Sequence, residues 1–197
     1  MFTAKAPSPY SPLKVYYHRD RLNAITRGRV PAPVQIQLVI SDLCNQDCSF
    51  CAYRMSGSLS NELFGERRPD GTINNNPTRM IPFDKIEEIL DHAAALGVKA
   101  IQLTGGGEPT VHSAFESVLE ACYTRGFEVG LVTNGVRLSE RACALLMQAT
   151  WVRISLDAAT APSYAAVRRV PVDHHKRVWA NIRRLVDMKR QSPSSVT

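Results

Sequence analysis

The sequence predicts an α/β fold, a parallel sheet of four strands alternating with helices. Two observations predict it. Apolar runs of strand length occur at 34–40, 98–104, 127–133 and 151–157, and each is followed by a stretch with helical spacing. Such alternation implies parallel strands joined by right-handed crossovers. The second observation concerns placement. The polar and glycine-rich segments all fall at the carboxyl ends of those strands, where sheets of this kind bind ligands.

The elements follow in order. Residues 1–33 read as an N-terminal extension. A short helix is expected over 13–27, with Val15, Leu22 and Ile25 as its apolar contacts and Pro31 and Pro33 beyond its end. The first strand then delivers a cysteine-rich loop. Residues 54–81 fit neither period. They contain Pro69, Asp70 and Gly71, a hairpin turn signal, and an asparagine-rich run at 74–76. An insertion of that length is expected either to act as a lid or contact substrate, or to be a passive insertion.

From residue 83 the alternation is regular. Asp84 is the expected N-cap of a helix, with Glu87 completing a capping box. Ile86, Ile89, Leu90 and Ala93 form its apolar stripe, and Gly97 stops it. The next helix carries Phe115, Val118, Leu119 and Cys122 on one face and ends at Gly126. A third begins near Ser139 and holds Ala142, Cys143, Leu145 and Leu146. Cys122 and Cys143 therefore read as core residues. Helical patterns resume after Thr160 and again over 174–190, where Val178, Ile182, Leu185 and Val186 form a stripe between charges.

The chain has 197 residues, of which 44% are hydrophobic and 21% charged, as in an ordinary globular protein. No apolar run is long enough to span a bilayer, and no apolar leader follows Met1, which predicts a cytoplasmic protein without membrane contact. The net charge of +6 is concentrated in the last third, including Arg168, Arg169, Arg183 and Arg184. A solvated helix face explains it; a nucleic-acid patch is the alternative.

Three of the five cysteines, Cys44, Cys48 and Cys51, lie within eight residues at spacing C-x3-C-x2-C. In a reducing compartment, that pattern points to metal rather than disulfides. Three thiolates on one loop can hold three corners of an iron–sulfur cluster and leave one iron open. They can also bind zinc with one outside ligand. Gly105, Gly106 and Gly107 permit close backbone approach to a ligand, or serve only the turn that follows the second strand. Asn134 precedes Gly135 in a turn after the third strand. Ser155 and Asp157 end the fourth strand, where they can cap the next helix.

This cysteine motif, with Phe50 just before its third cysteine, resembles the signature of the radical S-adenosylmethionine (radical SAM) enzymes. Gly106, Gly107, Glu108 and Pro109 resemble the family's glycine–glycine–glutamate–proline segment, and Ser155, Leu156 and Asp157 resemble the polar end of its fourth strand. The resemblance covers roughly residues 34–190. It implies a partial parallel (β/α) barrel and two cofactors. Cys44, Cys48 and Cys51 would ligate a 4Fe–4S cluster whose fourth iron is chelated by S-adenosylmethionine. Phe50 would line the cofactor pocket. Gly106, Gly107 and Glu108 would serve the cofactor's amino group, Ser155 and Asp157 its ribose, and Asn134 the same rim. An electron from a one-electron reductant would cleave the cofactor to a 5′-deoxyadenosyl radical that abstracts hydrogen from a small-molecule or peptide substrate. No side chain is singled out as a catalytic acid, base or nucleophile. Arg168 could pair with the cofactor's carboxylate, but its charge-rich helix predicts a surface side chain.

The family barrel commonly has six strand–helix units, and four are legible here. The expectation is a core over 34–197 that is completed by further sequence or by a partner chain, with the fourth strand's edge uncovered. The competing function is a non-catalytic iron–sulfur or zinc module with a basic nucleic-acid-binding helix.

Overall fold

The computed structural model describes residues 11–54, 63–67, 69–192, 194, 196 and 197. The leader reading at 1–10 and parts of the insertion (55–62 and 68) lie outside the described residues. Strands β1 (Gln35–Leu38), β2 (Ala100–Leu103), β3 (Glu128–Thr133) and β4 (Trp151–Ile154) form one parallel sheet in sequential order. The crossovers contain α2 (Phe83–Ala95), α3 (Phe115–Thr124) and α4 (Glu140–Leu146). The expected α/β class is therefore borne out.

Side chains alternate across each strand, so the sheet has two unlike faces. Ile101, Leu103, Val129 and Leu131 pack against Ile86 and Leu90 of α2 and Val118 and Leu119 of α3 in one core. Each such fully buried aliphatic side chain contributes roughly 1.5–3 kcal/mol. The register places Gln37, Gln102, Gly130 and Trp151 side by side on the opposite face, with Arg153 beside Val132. That face is mostly polar. Gly130 is required there, because a Cβ would lie 2.4 Å from the Trp151 ring.

Several local expectations are corrected. The N-terminal helix is split into a 3-10 turn, Pro12–His18, and α1 (Arg19–Thr26). Its Val15 and Ile25 are exposed rather than packed. A charged residue anchors it instead: Arg21 donates to the carbonyls of Ala32 and Gly97. Pro82, not Asp84, occupies the N-cap of α2, and Asp84 lies in the first turn with no side-chain cap bond. A carboxylate there still faces the positive end of the helix dipole. Gly97 and Gly126 stop their helices in the left-handed region, at φ 75° each. Ser139 caps α4 by accepting from Ala142 N.

Beyond β4 lie α5 (Ala161–Arg168) and α6 (Asp173–Gln191). Thr160 caps α5 by accepting from Ser163 N, so neither Ser155 nor Asp157 does. On α6, Val178 is buried against Tyr164, and the basic residues pair partly within the helix, as in Arg177–Asp173 at 2.7 Å. The edge of β4 is not bare. Val152 N donates to Thr197 O, Thr197 N donates to Thr150 O, and Val196 is buried in the main core. Among the described residues, no helix is long and apolar enough to cross a membrane.

Candidate cofactor site

The loop after β1 carries the three cysteines, and three other segments tie it down. The first is the glycine-rich turn after β2. Gly107 N donates to Ser41 O at 3.1 Å, and Glu108 N donates to Leu43 O at 2.8 Å. Such close backbone contact excludes a side chain: a Cβ on Gly107 would lie 2.0 Å from Leu43 O. Gly105 is tighter still, with a Cβ 1.6 Å from Gly107 O. Gly106 differs. A Cβ there meets only ordinary contacts, the nearest at 3.6 Å, so packing within the chain does not demand a glycine.

Glu108 is the second tie. Its carboxylate is 3% exposed and accepts four hydrogen bonds. Oε1 accepts from Thr110 N, Thr110 Oγ1 and Thr133 Oγ1, and Oε2 accepts from Asn134 N. Burial pushes its pKa up, against the pull of these donors. Glu108 thus staples the end of β2 to the end of β3. Asn134, now fixed, donates from Nδ2 to Asn45 Oδ1 at 2.7 Å and reaches Cys44 Sγ at 4.0 Å.

The third tie is α5. The last carbonyls of a helix lack partners within it. Here Ser49 N donates to Val167 O and Asp47 N to Arg168 O. Gln46, also buried, donates to the Tyr164 hydroxyl at 2.7 Å. The end of α5 is therefore a platform for the cysteine loop.

Arg168 departs most from expectation. It is not on the surface but 5% exposed. It donates to Gln46 Oε1 at 2.9 Å, to Cys48 Sγ at 3.3 Å and to Ser155 O at 2.6 Å, and it pairs with Asp157. Phe50, 56% exposed, stands over it with the guanidinium 5.5 Å from the ring centre. Burial pushes the Cys48 thiol up, while the guanidinium opposes that rise. The sequence signal for Arg168 was weak: one arginine among many, 120 residues from its sulfur partner.

The structure thus brings the cysteine loop, Gly106, Gly107, Glu108, Asn134, Ser155 and Asp157 to one rim. Asp157, at φ 52°, turns its carboxylate to Arg168. The described part of the insertion borders the same rim: Leu63 bridges Cys44, and Phe64 N donates to Cys44 O at 2.8 Å.

The donor set suits a thiolate-bound iron–sulfur cluster. None of the three cysteines is in a disulfide; one lies against a guanidinium and another beside an amide. Among the described residues, no three Cys, His, Asp or Glu side chains are grouped to hold a single metal ion. Arg168 Nε is also buried without a hydrogen-bond partner.

A parallel sheet with a thiolate loop and a glycine rim at its carboxyl edge defines a cofactor-binding α/β protein. The chain belongs to the radical SAM superfamily, whose sequence model matches residues 38–196. Members of this superfamily use a 4Fe–4S cluster and S-adenosylmethionine. Over 110 residues the chain is 33% identical to a GTP 3′,8-cyclase of Aeromonas hydrophila subsp. hydrophila, which covers 54% of this chain and 28% of that protein. A GTP 3′,8-cyclase of Tolumonas auensis is 31% identical over 109 residues, covering 54% and 27%. The chain thus spans under a third of the length of these relatives. In fold it is similar to Streptococcus suis SuiB bound to S-adenosylmethionine (TM-score 0.58, 18% identity, 94% of this chain and 44% of that one). SuiB bound to its precursor peptide SuiA gives a TM-score of 0.60 at 16% identity, over 100% of this chain and 40% of that one.

Proposed function

We propose that this chain forms the cofactor-binding core of a radical SAM enzyme. Cys44, Cys48 and Cys51 hold the 4Fe–4S cluster, and the rim of Phe50, Gly106, Gly107, Glu108, Asn134, Ser155 and Asp157 receives S-adenosylmethionine. When bound, the reduced cluster and S-adenosylmethionine supply a 5′-deoxyadenosyl radical that removes a hydrogen atom from substrate. The protein's part is to bind, orient and exclude water. The observation that carries this reading is the tying of the cysteine loop. Backbone bonds hold it to Gly107 and Glu108 on one side and to the end of α5 on the other.

A Cβ on Gly106 would meet Val39 and Asp42 at ordinary contact distances, so the chain's own packing does not demand the glycine. Glu108 sets the turn and Asn134 together, through its bonds to Thr133 and Asn134. The described part of the insertion contacts Cys44 through Leu63 and Phe64, beside the loop. The polar face of the sheet, with Gln37, Gln102 and Arg153, suits a polar substrate, either a small molecule or a peptide. The GTP 3′,8-cyclase relatives and the peptide-bound SuiB structure are consistent with that range. A one-electron reductant is the partner this chemistry requires.

Electron paramagnetic resonance of the anaerobically reconstituted, reduced protein tests the proposal. A 4Fe–4S signal that changes on adding S-adenosylmethionine is expected. A protein that takes up zinc and no iron overturns it.

A further inference from the structure

Arg168 has no part in the reaction proposed above, yet it is a buried cation at the rim, 5% exposed. Its guanidinium faces three elements. From the cysteine loop come Cys48 Sγ and Gln46 Oε1, with the Phe50 ring above. From the end of β4 come the Ser155 carbonyl and the Asp157 carboxylate. From its own helix comes the Tyr164 ring, 5.7 Å away. The Asp157 carboxylate that pairs with it is 42% exposed, against 6% for the arginine side chain. Water screens the carboxylate more than the guanidinium, so a net positive field reaches Cys48.

Donor and acceptor are also held in register. The amides of Asp47 and Ser49, on either side of Cys48, donate to the carbonyls of Arg168 and Val167. The backbones that carry the sulfur and the guanidinium are thereby held together.

We propose that Arg168 is a positioning residue whose hydrogen bond to Cys48 Sγ raises the reduction potential of the cluster held by the cysteine loop. The inference rests on the cluster reading under Proposed function. Reduction transfers one electron from an external low-potential donor to the cluster. No protein bond breaks and no proton moves. The reduced cluster is one charge more negative, so a fixed cation and an N–H directed at a ligand sulfur favour it over the oxidised state.

The test is an anaerobic redox titration followed by electron paramagnetic resonance, on full-chain protein whose iron and sulfide content is measured first. Arg168→Gln is expected to lower the reduced-to-oxidised ratio at a fixed potential about tenfold, which is about 59 mV for a one-electron couple. Arg168→Lys, which keeps the charge but loses the fork, is expected to fall between Arg168→Gln and wild type. Asp157→Asn removes the counter-charge and is expected to move the potential upward, which mere structural damage at the rim would not do. An unmoved potential in the arginine variants, or a downward shift in Asp157→Asn, overturns the inference. Should Arg168→Gln fail to assemble a cluster, Asp157→Asn decides alone: an upward shift supports the inference, and no shift overturns it. Wild-type protein without iron overturns the cluster reading itself, and is thereby distinguished from a cluster whose potential ignores Arg168.

Discussion

Gly107 and Leu43 lie so close that a single methyl on the glycine would stand 2.0 Å from the leucine carbonyl. This contact joins the glycine-rich turn to the cysteine loop. It separates two adjacent glycines that look alike in sequence.

Gly107→Ala must push the cysteine loop away and is expected to cost about 1–3 kcal/mol, the range for overpacking. Gly106→Ala meets only ordinary contacts and is expected to keep or slightly raise stability, by up to about 1 kcal/mol. If Gly106 faces S-adenosylmethionine, the same methyl weakens binding by about tenfold or more, roughly 1.4 kcal/mol. Urea denaturation and titration calorimetry on the reconstituted protein read the two effects. Equal destabilisation by both substitutions would contradict the distinction.

Glu108→Gln is expected to destabilise the protein by about 1–3 kcal/mol. Oε1 accepts three bonds, so the amide oxygen of a glutamine must stay there. Its NH2 then faces Asn134 N, a second donor. A lower urea midpoint with unchanged slope is the expected readout. A midpoint equal to wild type would show that the staple is dispensable.

The cysteines should separate by reactivity in protein without metal. Burial pushes Cys122 up to about 12 and also raises Cys143 and Cys48. Only the thiolate attacks an alkylating agent. At pH 8, iodoacetamide followed by peptide mass spectrometry should find Cys44 and Cys51 labelled first and Cys48 later. Cys122 and Cys143 should react only after denaturation. Early labelling of Cys122 would mean that the core opens far more readily than its burial implies.

His174 should contribute to loss of stability in acid. Burial lowers its pKa, with Arg177 adding to the effect and Asp173 opposing it. The folded state therefore binds this proton less readily than the unfolded chain. The associated stability is present above the unfolded value, about 6.5, and is lost as pH falls through the folded one. His174→Asn should flatten the decline in melting temperature between pH 7 and 5. A decline as steep as that of wild type would assign the acid sensitivity to other groups.

Strand and helix periods, the stops at Gly97 and Gly126, the helix start near Ser139 and the cysteine spacing were all legible in the sequence. Each depends on residues a few positions apart, and local sterics and hydrogen bonding decide it. The convergence of Cys44, Gly106, Glu108, Asn134 and Ser155 was legible too, because parallel strands in sequential order bring their carboxyl ends to one edge. Other features were not. Arg168 resembled the surface arginines around it until the end of α5 met the cysteine loop. Asp157 offered a free carboxylate until that arginine took it. Gly130 gave no sign of Trp151, which lies beside it only through the register of β3 and β4. Burial, ion pairing and close packing depend on which distant residues a side chain meets. Periodicity within the chain cannot encode those partners, and only the assembled tertiary structure decides them.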